Sequence, residues 1–223
     1  MREIGIVGGG GHAKVIMDII LKNREIGQDV DILGFFDDDL NKKAVYNIPN
    51  LGPISDIEKE VEGNENIEII LGIGDNVIRR KVFNKIDNEN IRYFSAIHPS
   101  AVIGNKVNIG EGTVIVGGAV INVDTDIGEH CIINTSASVG HDIIVGDFVH
   151  ISPGARLTGE VKIYDGVHIG TGAVIVPGIS IGENSIIGAG AVVTEDIPSN
   201  CTAVGVPAKP IKFHDKEVCR SES

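Results

Sequence analysis

Residues 127–151 read IGEHCIINTSASVGHDIIVGDFVHI, with an aliphatic side chain at every sixth position. The same step of six runs without an insertion from Ile97 to Val193. A small or β-branched residue lies four positions after each aliphatic residue. Gly, Asp, Asn and Glu are frequent at the positions between them. Because an α-helix turns by about 100° per residue, this step would scatter the aliphatic side chains over several helix faces. The repeat therefore excludes a helix and predicts short strands that each end in a corner.

Three such hexads close one coil with three flat sides. Stacked coils pair strand to strand at a spacing of about 4.8 Å, which gives a parallel β-helix. Residues one coil apart then lie directly above one another, whereas residues half a coil apart lie on opposite sides. We expect residues 95–214 to form this domain and residues 215–223 to form a polar tail without a readable function. The spacing does not give the hand of the coil, and ordinary parallel crossovers are right-handed.

The first part of the chain, residues 1–94, has a different pattern. Three apolar runs predict strands and two stretches with helical spacing predict helices: Glu3–Val7, Val30–Phe36 and Ile67–Leu71, and Lys14–Leu21 and Val77–Ile86. Alternating strands and helices indicate a small parallel sheet, so we expect a Rossmann-like α/β domain ahead of the β-helix.

A glycine turn joins the first predicted strand to the first predicted helix and consists of Gly8, Gly9, Gly10, Gly11 and His12. Backbone N–H groups at a helix start attract a phosphate, and glycine lets the anion approach closely. Asp37 and Asp38 end the second strand, where such folds hydrogen-bond a ribose or base. Together these features predict a nucleotide site. A tight turn without a ligand and a solvated strand end are the alternatives.

The net charge of −12, from 19 Lys and Arg against 31 Asp and Glu, restricts the partners of this chain. DNA or an anionic membrane surface would be repelled at long range. The three cysteines form neither a CxxC motif nor an even disulfide framework, and the apolar run at Ile4–Val7 is too short to span a membrane. We therefore expect a cytoplasmic protein without a nucleic-acid or membrane partner.

Several motifs together resemble a known family over nearly the whole chain. They are the glycine turn with its histidine, the hexads, Phe35-Phe36-Asp37-Asp38-Asp39, Gly72-Ile73-Gly74-Asp75-Asn76, Gly140-His141-Asp142, Val149–Ala155 and Gly205–Lys209. The chain resembles the hexapeptide-repeat sugar acetyltransferases of bacteria, which include sialic acid O-acetyltransferase and bacillosamine-type nucleotide-sugar N-acetyltransferases. The resemblance implies a left-handed β-helix, acetyl-CoA as co-substrate without a metal, a sugar acceptor, and a homotrimer with active sites between neighbouring subunits.

The motif around His141 supplies groups that acetyl transfer needs. Moving an acetyl group from a thioester to an amine or hydroxyl requires a base, a partner that orients it, and donors for the oxyanion. His141 lies two residues after an inward-facing valine, at a corner, so its imidazole should project outward beside the carboxylate of Asp142. We predict His141 as the general base and Asp142 as its orienting partner. A solvent-exposed corner histidine is the alternative.

The repeat also places two further histidines. His150 precedes the inward Ile151 and should stand out from the middle of a flat side, and His168, one coil further on, should stack on it. His141 and His150 are half a coil apart, so their side chains should point away from each other within one chain. We therefore predict that they meet only across subunits.

The resemblance assigns residues to both substrates. On the acetyl-CoA side these are His150 at the thioester, Gly159 with its backbone N–H as oxyanion donor, His168, Ala189 and Lys209. On the acceptor side they are Gly8, Gly9, Gly10, Gly11, His12, Asp37, Asp38, Gly74 and Asn134. Structural alternatives are turn capping by His12, corner capping by Asn134 and a plain surface position for Lys209. We expect Cys131 in the core, and His98, His130 and His214 in solvent.

Other functions fit parts of the pattern. The acceptor could be a sialic acid hydroxyl, but nucleotide-binding features in the N-terminal domain favour the 4-amino group of a UDP-linked amino-sugar. A zinc hydratase resembling the γ-type carbonic anhydrases could use the stacked His150 and His168, but it would not need the glycine turn. A nucleotidyltransferase would need a larger N-terminal domain, and a purely structural solenoid would not require outward histidines beside an acidic partner.

Overall fold

The computed structural model describes residues 1–64 and 66–214. The tail expected at residues 215–223 lies outside the described residues. The chain divides into two compact units, Met1–Pro99 and a second that begins at Ser100, a few residues after the expected boundary. No helix in the described ranges is both long enough and apolar enough to cross a membrane.

The first unit is an α/β domain built around a five-stranded sheet. Its elements are β1 (Arg2–Val7), α1 (Gly11–Glu25), β2 (Val30–Phe36), β3 (Ala44–Val45), β4 (Ile48–Gly52), a 3₁₀ turn (Ile54–Asp56), α2 (Ile57–Val61), β5 (Ile67–Leu71), α3 (Asn76–Ile86) and β6 (Ala96–Ile97). The strand order is β3-β4-β2-β1-β5, and β1 pairs in parallel with both β2 and β5. The next strands, β2 to β4, therefore lie on one side of β1, and the later strand β5 lies on the other side. Ligands of such folds bind at this switch point, beyond the carboxyl ends of the strands.

The helices and one hairpin differ in detail from the sequence-based prediction. Helix α1 begins at Gly11, ahead of the predicted Lys14, so the end of the glycine turn forms its first turn. Helix α3 is capped by Asp75, whose carboxylate accepts the N–H of Ile78 at 2.9 Å. The β3–β4 hairpin was not predicted, because its turn residues Tyr46 and Asn47 lack the Asn-Gly signature, although both have positive φ, 51° and 64°.

The second unit is a parallel β-helix made of two-residue strands. In chain order they are β7 (Val102–Ile103), β8 (Asn108–Ile109), β9 (Val114–Ile115), β10 (Val120–Ile121), β11 (Asp126–Ile127), β12 (Ile132–Ile133), β13 (Ser138–Val139), β14 (Ile144–Val145), β15 (His150–Ile151), β16 (Arg156–Leu157), β17 (Lys162–Ile163), β18 (His168–Ile169), β19 (Val174–Ile175), β20 (Ser180–Ile181), β21 (Ile186–Ile187) and β22 (Val192–Val193). A hairpin follows, formed by β23 (Cys201–Gly205) and β24 (Ala208–Phe213). Strands inside the stack pair with the third strand before and the third strand after them, as β15 does with β12 and β18. Three sheets result, which confirms the predicted three-sided coil. The first sheet runs from β7 through β10 and β13 to β22, the second from β8 through β11 and β14 to β20, and the third from β9 through β12 and β15 to β21, β23 and β24.

The core of the second unit consists of the predicted aliphatic and small positions. Ile133, Ile151 and Ile169 have no exposed surface, and neither have Cys131 and Ala155 at small positions. The predicted core position of Cys131 is thereby confirmed. The inward side chains are small or branched, so successive coils stack without the large rings that the composition lacks.

The corners follow the same step of six. Every sixth residue from Lys106 to Gly190 has φ in the left-handed region. This includes a bulky residue that rarely adopts it, Phe148 at 56°, as well as His130 at 52°. The coil, and not glycine alone, therefore imposes the bend.

The expected exposure of His130 is wrong. Its side chain is buried, with 1% exposed, and its ring stacks on that of Phe148 with centroids 5.1 Å apart. Both residues occupy left-handed corners one coil apart, and the imidazole of His130 lies over Gly112, where a Cβ would collide with it. His98 and His214 are half-buried, and the Nε2 of His214 lies 2.9 Å from the Oγ1 of Thr202.

Two neighbouring isoleucines allow a test of the inward and outward pattern. Ile143 has no exposed surface, whereas Ile144 is 52% exposed. We expect Ile143→Ala to lower the free energy of unfolding by about 2–5 kcal/mol, because it leaves a cavity in the stack. Ile144→Ala should change it by less than about 0.5 kcal/mol. Urea unfolding monitored by circular dichroism measures both, and equal losses would contradict the inward and outward assignment.

Candidate active site

A histidine and an aspartate form a pair at one corner of the β-helix, between β13 and β14. The Nδ1 of His141 lies 2.7 Å from the Oδ2 of Asp142. The φ of Asp142 is 55°, a conformation that aspartate tolerates better than most residues, so Asp142 suits both the corner and the pairing. Their side chains are 59% and 58% exposed in the single chain. With Nδ1 bonded to the carboxylate, Nε2 is the nitrogen that can accept a proton from a substrate.

Gly159 lies one coil from His141 at the same corner. A Cβ on Gly159 would lie 2.6 Å from Cε1 and 2.7 Å from Nε2 of His141. The backbone beside Gly159 is fixed by a hydrogen bond, since the carbonyl of His141 accepts the N–H of Glu160 at 3.0 Å. A side chain at Gly159 would therefore displace the ring of His141.

The two histidines of the third sheet stack as predicted. His150 in β15 pairs in register with His168 in β18, and their ring centroids are 4.8 Å apart with planes inclined by 16°. The Nε2 of His150 lies 3.1 Å from the Nδ2 of Asn134, and the Nε2 of His168 lies 2.9 Å from the Oγ of Ser152. A ladder of polar side chains therefore runs up this face of the β-helix.

The bonds of Asn134 fix the tautomer of neutral His150. The Oδ1 of Asn134 accepts the backbone N–H of Thr135 at 2.8 Å, which orients the amide so that its Nδ2 points toward the imidazole. An amide nitrogen only donates, so the Nε2 of His150 must accept. The proton of neutral His150 is then on Nδ1.

His141 and His150 occupy different parts of the same coil. His141 stands at the corner between the first and second sheets, while β15 with His150 belongs to the third sheet. The next residue, Ile151, has no exposed surface, so the side chain of His150 faces outward. A single chain thus does not bring the two imidazoles together, as the half-coil spacing predicts.

The remaining residues expected at the acetyl-CoA site are on the surface of the second unit. Ala189 is exposed, and its backbone nitrogen lies directly beside Gly170, where a Cβ would approach within 2.6 Å. The Nζ of Lys209 lies 2.7 Å from the Oε2 of Glu195, and the two side chains are 54% and 72% exposed. Exposed ion pairs contribute little free energy, so Lys209 can exchange its carboxylate for a phosphate.

The glycine turn in the first unit exposes the start of α1. Gly8 has φ of 91°, which favours glycine, and its N–H donates to the carbonyl of Phe36 at 2.7 Å. Gly10 caps α1 without a side-chain bond, and the positions of a Cβ on Gly10 or Gly11 are open. The turn therefore presents backbone N–H groups and the positive end of the helix dipole.

The structure gives Asp37 and Asp38 partners within the protein. Asp37 accepts the N–H of Gly9 at 2.8 Å, the N–H of Asp39 at 2.9 Å and the Nζ of Lys42 at 2.8 Å. Burial alone would raise the pKa of Asp37, but these bonds more than offset it, so its pKa lies below the usual value. The Oδ1 of Asp38 accepts the N–H of Ile54 at 3.0 Å. Lys42 is a residue of this site that the sequence pattern does not reveal.

His12 lies at the start of α1, close to the loop that follows β5. Its Nε2 is buried and has no hydrogen-bond partner among the described residues. Burial, followed by the nearby charge of Arg79, lowers the pKa of His12 to about 4, so the ring is neutral at pH 7. Arg79 is itself buried and donates to the carbonyls of Ile73 and Gly74 at 3.0 and 3.2 Å. The predicted acceptor residue Gly74 therefore belongs to a loop that Arg79 fixes at the switch point.

The lowered pKa of His12 predicts a loss of stability in mild acid. An unfolded histidine binds a proton near pH 6.5, whereas folded His12 does so only near 4. Between these values the unfolded state binds more protons, so the free energy of unfolding should fall as the pH is lowered, by at most about 3 kcal/mol. The ionised carboxylate of Asp37 also stabilises the fold, but at lower pH. Its contribution to the free energy of unfolding is lost only as the pH falls below about 3.8.

An NMR titration of the histidine rings tests this expectation directly. The His12 signal should stay that of a neutral ring down to about pH 4. His12→Asn should remove this signal and reduce the slope of stability against pH between about 6.5 and 4. A His12 ring that titrates near pH 6.5 would contradict the expectation.

Among the described residues, no group of three or more His, Cys, Asp or Glu side chains could hold a metal ion. The stacked His150 and His168 direct their Nε2 atoms to Asn134 and Ser152.

Comparison with known proteins defines the class of this protein. The PglD N-terminal domain family matches residues 3–86, and the bacterial transferase hexapeptide family matches residues 160–195. A variant of perosamine N-acetyltransferase from Caulobacter crescentus, solved in complex with CoA and GDP-perosamine, superimposes with a TM-score of 0.86 at 36% identity, covering 95% of this chain and 98% of that one. The acetyltransferase domain of PglB from Neisseria gonorrhoeae, solved with acetyl coenzyme A, gives a TM-score of 0.84 at 33% identity, covering 94% and 99%. These matches define an acyltransferase of the hexapeptide-repeat class.

A curated relative narrows the class to a family. The UDP-N-acetylbacillosamine N-acetyltransferase of Bacillus subtilis is 37% identical over 116 residues, which is 52% of this chain and about half the length of that relative. The chain belongs to the PglD-type hexapeptide-repeat sugar N-acetyltransferases. The family and the enzyme class inferred from the sequence are thereby confirmed.

Proposed function

We propose that this protein transfers the acetyl group of acetyl-CoA to the 4-amino group of a nucleotide-linked amino-sugar, with a UDP-sugar as the first candidate. The observation that carries the proposal is the His141–Asp142 pair at 2.7 Å beside the open corner of Gly159. The relatives support the substrate class, since one is named for a UDP-linked amino-sugar and another was solved with GDP-perosamine and CoA. Their acceptors favour nitrogen over the hydroxyl of a sialic acid.

The chemistry assigned to each residue follows from acyl transfer. The amino nitrogen attacks the thioester carbonyl, and the Nε2 of His141 takes the proton that the nitrogen loses. Asp142 holds the opposite ring nitrogen and stabilises the imidazolium that forms. The N–H of Gly159 donates to the oxyanion, and collapse of the tetrahedral intermediate releases the CoA thiolate.

The two substrates approach from different parts of the protein. We place acetyl-CoA along the third sheet, with the Nδ1–H of His150 toward the thioester and His168, Ala189 and Lys209 along the rest of the donor. The nucleotide sugar binds at the glycine turn, with Asp38 and Gly74 beside it. The contact of Asn134 with His150 supports a position for Asn134 beside the reacting part of the donor.

The assembly and the hand of the coil are further parts of the proposal. A left-handed β-helix and a homotrimer agree with the hexapeptide family match. Since His141 and His150 lie apart in one chain, a neighbouring subunit must supply one of them. Cys131 and Cys201 are buried and form no disulfide among the described residues, which agrees with a reducing, cytoplasmic location.

The test is an acetyl-CoA turnover assay that follows the free thiol of CoA. The acceptors are UDP- and GDP-linked 4-amino-sugars, free sialic acid and simple amines. We expect turnover with a nucleotide-linked amino-sugar and a product acetylated on nitrogen, identified by mass spectrometry. Turnover with sialic acid alone, or with none of these acceptors, would overturn the proposal.

Gly159→Ala tests the corner independently of the base itself. We expect kcat to fall by about tenfold or more while acetyl-CoA binding is largely kept, because the new Cβ would meet the His141 ring at 2.6–2.7 Å and displace it. The measurement is kcat together with the melting temperature. A stable Gly159→Ala enzyme with wild-type kcat would exclude both the spacing argument and a close role for this corner.

A further inference from the structure

Lys42 lies against the glycine turn of the first unit. Its Nζ lies 2.8 Å from the Oδ2 of Asp37, the same oxygen that accepts the N–H of Gly9 at 2.8 Å. A Cβ on Gly9 would lie 2.8 Å from the Cδ of Lys42, so the lysine stem crosses the backbone of the turn. One carboxylate oxygen thus holds both the turn and an ammonium group beside it.

The Lys42–Asp37 pair leaves part of the ammonium accessible. The side chain of Lys42 is 34% exposed, whereas that of Asp37 is 17% exposed, so the lysine is the partner that solvent or a ligand can reach. Asp37 is already fixed by the N–H groups of Gly9 and Asp39. An ammonium has three hydrogens, and Asp37 takes one, which leaves Lys42 able to bond a further acceptor.

Two independent features of the same turn point to an anionic ligand. Helix α1 begins there with 15 residues, no side-chain cap and no acidic residue in its first turn. The positions of a Cβ on Gly10 or Gly11 are open. The Nε2 of His12 is buried at this turn without a partner among the described residues, and a buried polar atom of this kind requires a ligand or water to complete its bonding.

Two other cations of the first unit, Arg79 and Lys43, are placed differently. Arg79 is buried and donates to the carbonyls of Ile73 and Gly74, so it holds the loop after β5. Lys43 is exposed next to Lys42, but it has no contact with the turn among those of the described residues. Lys42 combines contact with the turn and access to solvent.

We propose that Lys42 binds the diphosphate of the nucleotide-linked acceptor at the glycine turn, and that Asp37 is a positioning residue that holds Lys42 and the Gly9 N–H toward it. This inference rests on the proposed function, because it requires a nucleotide-linked acceptor. It changes the part expected for Asp37 from contact with a ribose to organisation of the phosphate site.

Calorimetric binding of UDP and GDP to the full chain tests the inference without catalysis. Lys42→Met keeps the aliphatic stem and removes the charge, and we expect it to raise the Kd of the preferred diphosphate about ten- to a hundredfold. Lys42→Arg should recover most of the affinity, and Lys43→Met, the matched control, should leave it unchanged. Equal affinity of wild type and Lys42→Met would overturn this inference and leave the proposed function intact. A wild-type protein that binds neither diphosphate would overturn the proposed function itself.

Kinetic measurements and a double variant distinguish a direct contact of Lys42 with the phosphate from an indirect effect through Asp37. Lys42→Met should raise the KM of the nucleotide sugar about ten- to a hundredfold while the KM of acetyl-CoA stays the same. In an Asp37→Asn background, Lys42→Met should still weaken diphosphate binding if its ammonium touches the phosphate. If it adds nothing there, Lys42 acts only by holding Asp37, and the inference is wrong.

Discussion

His141→Ala is expected to lower kcat by about a hundred- to ten-thousandfold, because a positioned general base contributes that range to proton transfer. The side chain of His141 is 59% exposed in the single chain, so its removal leaves no large cavity and should not unfold the β-helix. Thiol release at saturating concentrations of both substrates measures kcat. The melting temperature and the mass of the particle in solution show whether fold and assembly persist.

Asp142→Asn is the matched variant for the same pair. Asparagine tolerates the left-handed φ of 55° at this corner, so the substitution removes the charge without straining the backbone. We expect a smaller fall in kcat than for His141→Ala, since the base remains but its imidazolium loses a stabilising partner. If His141→Ala keeps the wild-type kcat at saturating substrate concentrations, His141 is not the general base.

The sequence predicts the β-helix in detail because each coil repeats the same physical requirement. An aliphatic residue must face inward at every sixth place, so the stacking of His150 on His168 and the corner position of His141 follow from counting alone. The burial of His130 did not follow, because it depends on a left-handed φ of 52° at a corner without glycine. Residue type is a poor guide to φ where the coil imposes it.

The N-terminal site was less predictable, because its contacts join residues far apart in the chain. The glycine turn and the two aspartates are visible in the sequence, but Lys42 reaches the turn only because the segment after β2 folds back over Gly9. No periodic pattern encodes this contact. The carboxylate of Asp37 bonds to Lys42 and to the N–H of Gly9. We therefore replace its expected contact with a ribose by the proposed role of positioning Lys42.

A mixture of His141→Ala and His150→Ala subunits is expected to regain activity that each variant alone lacks. The base and the donor-side histidine lie on different parts of one coil, so we expect each active site to combine His141 of one subunit with His150 of the next. In a trimer that contains both variants, about a third of the sites combine an intact His141 with an intact His150. Activity of the isolated mixed trimers should therefore rise from a few per cent or less to about a third of the wild-type value.

The two variants carry different tags, are unfolded and refolded together, and the mixed trimers are isolated by both tags. Turnover is measured at an acetyl-CoA concentration below the wild-type KM, where His150→Ala should be most impaired. The matched control mixes His141→Ala with a chain that carries both substitutions, which cannot form an intact site and should stay inactive. Confirmed mixed trimers without recovery would contradict a shared site. Recovery would require contact between copies, since His150 faces outward from the third sheet and His141 stands at the opposite corner.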